Sequence, residues 1–431
     1  MKAAFYTLGC KVNQYETEIM QRQFEQDGFT IVPPKEPADV YVVNSCTVTS
    51  MGDKKTSKLL RRLRRQNKDA VIALTGCFPQ AFPEEAAKAV EADIITGARD
   101  RAGLLGRVKQ ALRDRTRVIS VTPHEAGEPF EPMAAERFSE HTRAFVKIQD
   151  GCDRWCSYCI IPKARGPIRS KPLTELREEL LSLAENGYRE VVLVGINLSS
   201  YGRETGEYRL ADAVELAGSI GLIKRVRLGS LEPELLTEED LERLAAEDKF
   251  CPQFHLSLQS GCDKTLCRMN RHYTCGEYWK LVEKIRQRFE NASVTTDMMT
   301  GFPGETEEDF EASACFAEEI GFAKVHVFAY SVRQGTRAAS MDGQLSQSVK
   351  EERARRLIAR MDRVRDTFLK TQCGRVEEVL FETEQDGTFL GYTKNYTPVS
   401  VKSGKPLGGA ILPVKITGCS KGICQGSLIH P

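Results

Sequence analysis

A chain of 431 residues, 41% hydrophobic and 28% charged, is long enough for two or three domains with cores of their own, and its formal net charge of +1 points to no partner by itself. No apolar run approaches the roughly 18 residues a membrane span needs, and Met1 to Cys10 reads as a strand-like segment rather than a signal peptide, so a cytoplasmic protein without membrane contact is expected. In that reducing compartment the 14 cysteines should bind metal or be buried rather than pair as disulfides.

The first segment repeats one pattern, an apolar run ending in cysteine: Ala3 to Cys10, Asp39 to Cys46 and Ala70 to Cys77, at intervals of 36 and 31 residues. Those intervals suit strand–helix units, with helices expected over Asn13–Asp27, ending at Gly28, and over Asp53–Gln66. Ligands of an open parallel sheet bind beyond the carboxyl ends of its strands, so Cys10, Cys46 and Cys77 should converge on one site as three ligands of an iron–sulfur cluster with one iron free. The competing reading is three buried thiols, a common fate for free cysteine. Seven basic residues and no acidic one lie between Lys54 and Arg65, and Arg99 to Arg117 is also rich in arginine. Such runs are by default solvated helix faces; together they hint at a phosphate backbone, with Lys54, Lys58, Arg61, Arg62 and Arg65 as candidate RNA contacts.

Val118 to His141 is rich in Pro, Glu and Gly and reads as a linker, which divides the chain into residues 1–117, 118–141, 142–370 and 371–431. Six strand-like runs follow, Arg143–Gln149, Arg189–Val194, Arg225–Leu228, Gln253–Leu258, Ser293–Asp297 and Lys324–Ala329, separated by helical segments such as Thr174–Asn186 and Thr306–Ile320. The alternation predicts a parallel sheet curled into a partial (β/α)6 barrel. A long charged helix is expected over Ser346–Lys370, and then the pattern changes to period two with a turn at Gln385-Asp386-Gly387, predicting a small all-β barrel.

Directly after the first barrel strand stands Gly151-Cys-Asp-Arg-Trp-Cys-Ser-Tyr-Cys159. C-x3-C-x2-C supplies three thiolates, Cys152, Cys156 and Cys159, where a cubane cluster has four corners, so one iron stays open for a substrate or cofactor. A zinc knuckle would need a fourth Cys or His close by, and the nearest histidine, His141, is across a predicted strand. On the carboxyl-end face of a barrel the motif reads as catalytic.

The run resembles the cluster loop of the radical S-adenosylmethionine (SAM) enzymes, with Tyr158 matching their usual aromatic residue. In that superfamily the open iron chelates SAM, and one electron from the cluster releases a 5′-deoxyadenosyl radical. Both cysteine trios, in this order and followed by a small barrel, are similar to the methylthiotransferases. That resemblance implies two 4Fe-4S clusters, an auxiliary one on Cys10, Cys46 and Cys77 and the SAM cluster on Cys152, Cys156 and Cys159, with a TRAM-like RNA-binding domain from about Cys373 to Ile429. It further implies SAM contacts at Tyr158, Gly195, Asn197, Ser230, Glu232, Gln259, Asp297 and Gly301, and an electron donor such as flavodoxin or ferredoxin.

Gly9-Cys-Lys-Val-Asn-Gln-Tyr-Glu16 resembles the branch that converts N6-threonylcarbamoyladenosine beside the tRNA anticodon to its 2-methylthio form. Pro79, Trp155 and Asn197 depart from that branch's usual residues. The alternatives are a methylthiotransferase for isopentenyladenosine or for a ribosomal protein and, from another class, a non-catalytic RNA-binding iron–sulfur protein. Cys262, Cys267 and Cys275, and Cys419 with Cys424, form no complete ligand group at a useful spacing; with Cys251, Cys315 and Cys373 they are expected in packing or at the surface.

Overall fold

The computed structural model describes residues 1–135 and 142–429. The end of the expected linker, with His141, and the last two residues lie outside the described residues. The first unit is a six-stranded parallel sheet in the order Thr30–Ile31, Lys2–Thr7, Val40–Ser45, Val71–Gly76, Ile94–Thr96, Val118–Ser120. Val40–Ser45 and Val71–Gly76 are buried at every position, as expected of central parallel strands with both faces covered. Val118–Ser120 was expected to open the linker; it instead adds an edge strand beside Ile94–Thr96.

Helices of this unit run over Lys11–Gln26, Ser50–Gln66 and Leu104–Asp114, with short turns of helix at Cys77–Ala81 and Pro83–Ala87. The second starts at Ser50 because the Thr49 hydroxyl accepts the Gly52 amide, an N-cap the sequence reading placed three residues late.

Six strands form the expected half-barrel: Ala144–Asp150, Glu190–Gly195, Arg225–Leu228, Gln253–Leu256, Ser293–Thr300 and Lys324–Ala329. They fall into two four-stranded sheets, each completed by an unforeseen two-residue strand: Arg169–Ser170, antiparallel to the first barrel strand, and Ser230–Leu231. An isolated parallel bridge pairs Val226 of the first sheet with Phe250, just before the strand Gln253–Leu256 of the second. The helices outside them share one apolar core with the strands, in which Leu176, Leu180, Val191, Leu193, Val226 and Phe254 are fully buried.

The long helix Gln347–Thr371 leads into a closed five-stranded barrel of mostly antiparallel strands, in the order Val376–Gln385, Thr388–Thr393, Pro398–Lys402, Ile423–Leu428, Ile411–Ser420. Here one expectation fails. Cys419 and Cys424 face each other in the register of the last two strands and are joined as a disulfide, rather than serving only as packing or surface residues. Cys373 Sγ lies 3.6 Å from Cys419 Sγ.

Buried arginines fasten this barrel to the half-barrel. Arg225 donates to the carbonyls of Tyr392 (3.0 Å) and Glu378 (2.8 Å), and Arg227 to that of Lys394 (2.8 Å), while both are neutralised by Glu190 at 3.5 and 2.9 Å. Arg227→Met removes one partner of a buried pair, a change worth roughly 3–5 kcal/mol. The small barrel should then dock weakly, and limited trypsinolysis near Arg375 should release it at least about tenfold faster than from the wild type.

Candidate functional site

Each candidate ligand of the first trio stands just beyond a strand end. Cys10 precedes the helix Lys11–Gln26, Cys46 follows Ser45, and Cys77 follows Gly76 and opens the short helix Cys77–Ala81. Two glycines make the convergence possible. At Gly9 (φ +123°) a Cβ would stand 2.7 Å from Cys46 Cβ and 3.2 Å from its sulfur, so only glycine lets the first loop close on the second. At Gly76 (φ +97°) a Cβ would meet Asn44 Oδ1 at 2.5 Å. Cys77 is buried, Cys46 half-buried and Cys10 exposed, which leaves the trio open on one side.

Cys152, Cys156 and Cys159 occupy the loop after the first barrel strand, with Trp155 between them, 66% exposed and in the left-handed region (φ +50°). Among the described residues, no three of His, Cys, Asp and Glu converge as ligands of a single ion.

Burial pushes the thiols up, Cys77 and Cys152 each to about 12, with Cys46, Cys156 and Cys159 also raised. Such cysteines become thiolates only when bound cations supply the compensating charge, so the donor set fits an iron–sulfur cluster at either trio.

A charge network that sequence reasoning missed ties the segment after the second trio to the first unit. Arg165 ends the short helix Ile161–Arg165 that follows Cys159, yet its Nε donates to Cys77 Sγ (3.1 Å) and one Nη donates to Asn13 Oδ1 (2.7 Å). Its other partner is Glu16, fully buried and also bound by Lys147 (2.8 Å) and Arg101 (3.0 Å). Asp150 accepts from Lys147 and lies 3.4 Å from Arg165 and 3.5 Å from Arg169; the linker contributes Glu128 against Arg169 and Glu131 against Arg101. Burial raises the Glu16 carboxyl, but Arg101, Arg165 and Lys147 outweigh it and hold the pKa at about 2.

Around the second trio, Arg271 donates to Cys156 Sγ (3.2 Å) and forks onto Glu232. Asn197 follows the second barrel strand with its side-chain nitrogen and oxygen both buried and unpartnered, an orphaned amide of the kind a polar ligand satisfies. Gln259 adopts φ +66°, its amide held by the Asp297 carbonyl (2.9 Å). Tyr158 packs edge-on to Phe302, Ser230 is exposed, and the space beside Gly301 is taken by Lys350 of the long helix, whose Cγ a Cβ would meet at 2.4 Å.

Beside these groups opens a cleft of about 2290 Å3 lined by Lys54, Lys58, Arg61 and Arg65 on one side and Cys152 and Trp155 on the other. Arg62 points elsewhere, its guanidinium 5.8 Å from the Tyr6 ring. Arg64, inside the same basic run, is tied to Asp93 at 2.6 Å and to three backbone carbonyls. Lys11, next to Cys10, carries its Nζ 5.7 Å from the Phe145 ring centre; burial, then Arg143 and Arg227, push its pKa down to about 8.

Comparison with known proteins assigns the class. Residues 2–97 match the uncharacterized protein family UPF0004, and residues 146–317 match the Radical SAM superfamily. The fold is similar to that of the radical SAM methyltransferase TsrM from Kitasatospora setae (TM-score 0.59, 14% identity, 78% of this chain and 77% of that one). The chain thus belongs to the radical SAM methylthiotransferases.

Within that class it is 39% identical to the threonylcarbamoyladenosine tRNA methylthiotransferase MtaB of Bacillus subtilis (strain 168), over 99% of this chain and 96% of the relative. Identity to the MtaB of Thermotoga maritima is 37%, over 90% and 89%. A tRNA-2-methylthio-N(6)-dimethylallyladenosine synthase of Pelotomaculum thermopropionicum is 33% identical over 100% and 98%. The chain is a member of the MtaB-like branch.

The charge network yields a test that needs no substrate. Glu16→Gln leaves three buried cations under-compensated and should cost roughly 3–5 kcal/mol, read as a lowered thermal midpoint. The folded carboxyl sits at about 2 against an ordinary 4.5, so its stabilisation is complete above 4.5 and is lost as pH falls towards 2. Acid unfolding in that window should be less steep in the variant.

Proposed function

We propose that this protein is a tRNA methylthiotransferase that converts N6-threonylcarbamoyladenosine in the anticodon loop to its 2-methylthio derivative, using SAM and two 4Fe-4S clusters. The observation that carries the reading is Arg165, which joins the SAM-cluster loop to Cys77 of the other trio through a single guanidinium. That linkage supports a reading in which the two cysteine sites work together, as a reaction joining sulfur to an unreactive carbon requires. The adenine C2–H bond is neither acidic nor electrophilic enough for acid–base or nucleophilic replacement. When bound, the clusters and SAM supply radical generation at one site and sulfur at the other.

The protein's own groups orient and shield. Cys152, Cys156 and Cys159 would hold the SAM cluster, with Arg271 donating to Cys156 and tempering its charge. Cys10, Cys46 and Cys77 would hold the auxiliary cluster. Asn197 offers both halves of its amide to the cofactor. Glu232 and Gln259 lie beyond the carboxyl ends of strands, where SAM would bind, Asp297 stands within the strand Ser293–Thr300, and Gly195, Ser230, Tyr158 and Gly301 would complete the cofactor contacts.

RNA would enter along the cleft. Lys54, Lys58, Arg61 and Arg65 face it, and among the described residues they have no ion pair apart from the loose 3.6 Å contact of Arg61 with Glu91. Trp155 offers an exposed ring on which a base can stack. The target base must leave its own stack, which is least costly in a single-stranded loop. A one-electron donor such as flavodoxin or ferredoxin completes the system.

Cysteine substitutions separate the two roles. In anaerobic assays with SAM, reductant and tRNA, Cys46→Ala should lose about half the iron and all methylthiolation, yet still release 5′-deoxyadenosine; Cys156→Ala should lose both products. Nucleoside mass spectrometry on tRNAs bearing threonylcarbamoyladenosine or isopentenyladenosine checks the substrate, and product from the second alone overturns it.

A further inference from the structure

We propose that Lys11, facing the open interior of the half-barrel, is the recognition site for the threonyl carboxylate of the substrate nucleoside. The inference rests on the substrate reading above. Threonylcarbamoyladenosine and isopentenyladenosine present the same C2–H bond and differ at N6, where one ends in a carboxylate and the other in a hydrocarbon. C2 and C6 flank N1 on one edge of the base. When C2 is turned towards the Cys10 trio, the N6 substituent therefore lies beside it, within reach of the residue next to Cys10.

That residue is a lysine with an unspent charge. Among the described residues neither Lys11 nor Lys324 has an ion-pair partner, and the nearest carboxylate felt by Lys11, Glu190, is already shared by Arg227 (2.9 Å) and Arg225 (3.5 Å). Lys11 stands over Phe145, which is level with Val192 and Arg227 on one face of the first sheet. In the second sheet, Lys324, His326 and Phe328 alternate with half-buried Val325 and Val327 that pack on the core. The exposed set faces away from the core on which Val325 and Val327 pack, and Lys11 stands beside Phe145 of the first barrel strand. A cation in a polar space accepts a carboxylate through a charge-assisted hydrogen bond and offers an isopentenyl chain only desolvation.

The test compares an anticodon stem-loop RNA bearing threonylcarbamoyladenosine with the same RNA carrying the threonyl methyl ester, which removes the charge alone. Dissociation constants are read by fluorescence anisotropy for the full-length protein, as wild type, Lys11→Met and Lys11→Arg, with iron content and cluster spectra as controls for an intact Cys10 site. The acid should bind the wild type about tenfold more tightly than the ester; Lys11→Met should lose that preference and Lys11→Arg should keep most of it. Equal binding of acid and ester by the wild type, or an unchanged preference in Lys11→Met, overturns the proposal. Were Lys11→Met to lose its cluster, the wild-type comparison would still decide. Failure of the substrate reading is distinct: the wild type would then methylthiolate neither acid nor ester RNA while acting on the isopentenyl RNA.

Discussion

Everything that positions chemistry in this molecule depends on one buried carboxylate, Glu16, and the cations gathered on it. Arg101 and Glu16 come from the first unit, Lys147 and Arg165 from the half-barrel, and Glu131 from the connecting segment, so the ion cluster is a joint among three parts of the chain. Buried ion pairs are poor sources of net stability, because desolvation offsets much of the Coulomb attraction. Their strength lies in specifying geometry: a guanidinium that must satisfy Glu16, Asn13 and Cys77 together has few poses available. An apolar contact between the same units would tolerate sliding, and sliding would separate the two cysteine trios.

The thiols set a second constraint. Burial raises the thiols of Cys46, Cys77, Cys152, Cys156 and Cys159, and Arg165 and Arg271 each donate to only one sulfur of their trio. Those two arginines lower the cost of charge at Cys77 and Cys156 without supplying enough to ionise a whole trio. Iron bound at either site would provide the remainder, and this would couple occupancy to the local order of loops that carry positive-φ glycines. The fold supplies geometry in advance, and the metal would supply the charge that makes the geometry favourable.

How much of this was legible beforehand follows from the range of each signal. Strand ends at Cys46 and Cys77 could be read because period and punctuation are local, and C-x3-C-x2-C could be read because its ligands are adjacent. The two short strands at Arg169 and Ser230 escaped because two residues carry no periodicity. Arg165, Arg271 and Lys147 escaped for another reason: a charged residue in sequence reads as surface, and only tertiary packing reveals a partner 149 residues away, as between Glu16 and Arg165. The basic run was read as one face, whereas the fold divides it. Arg64 is consumed by Asp93 and backbone carbonyls, and Arg62 turns to Tyr6. The Cys419–Cys424 pair was missed because the reducing-compartment argument outweighed a five-residue hairpin spacing.

The positive charges that remain unspent occupy two different environments, and the difference suits two different tasks. Those of the helix Ser50–Gln66 are exposed, so salt screens them and they attract any nucleic acid backbone without discrimination. Lys11 stands beside the Phe145 ring, where Arg143 and Arg227 already make further positive charge unfavourable. A cation repelled by its neighbours gains more from an arriving anion than one without such neighbours, since the repulsion is relieved at the same time. Affinity for RNA and selectivity for its modified base can therefore reside on separate residues, with the cluster-bearing loops between them. Substitutions on the helix should alter binding of all RNAs alike, whereas the Lys11 site distinguishes among bases that have already arrived.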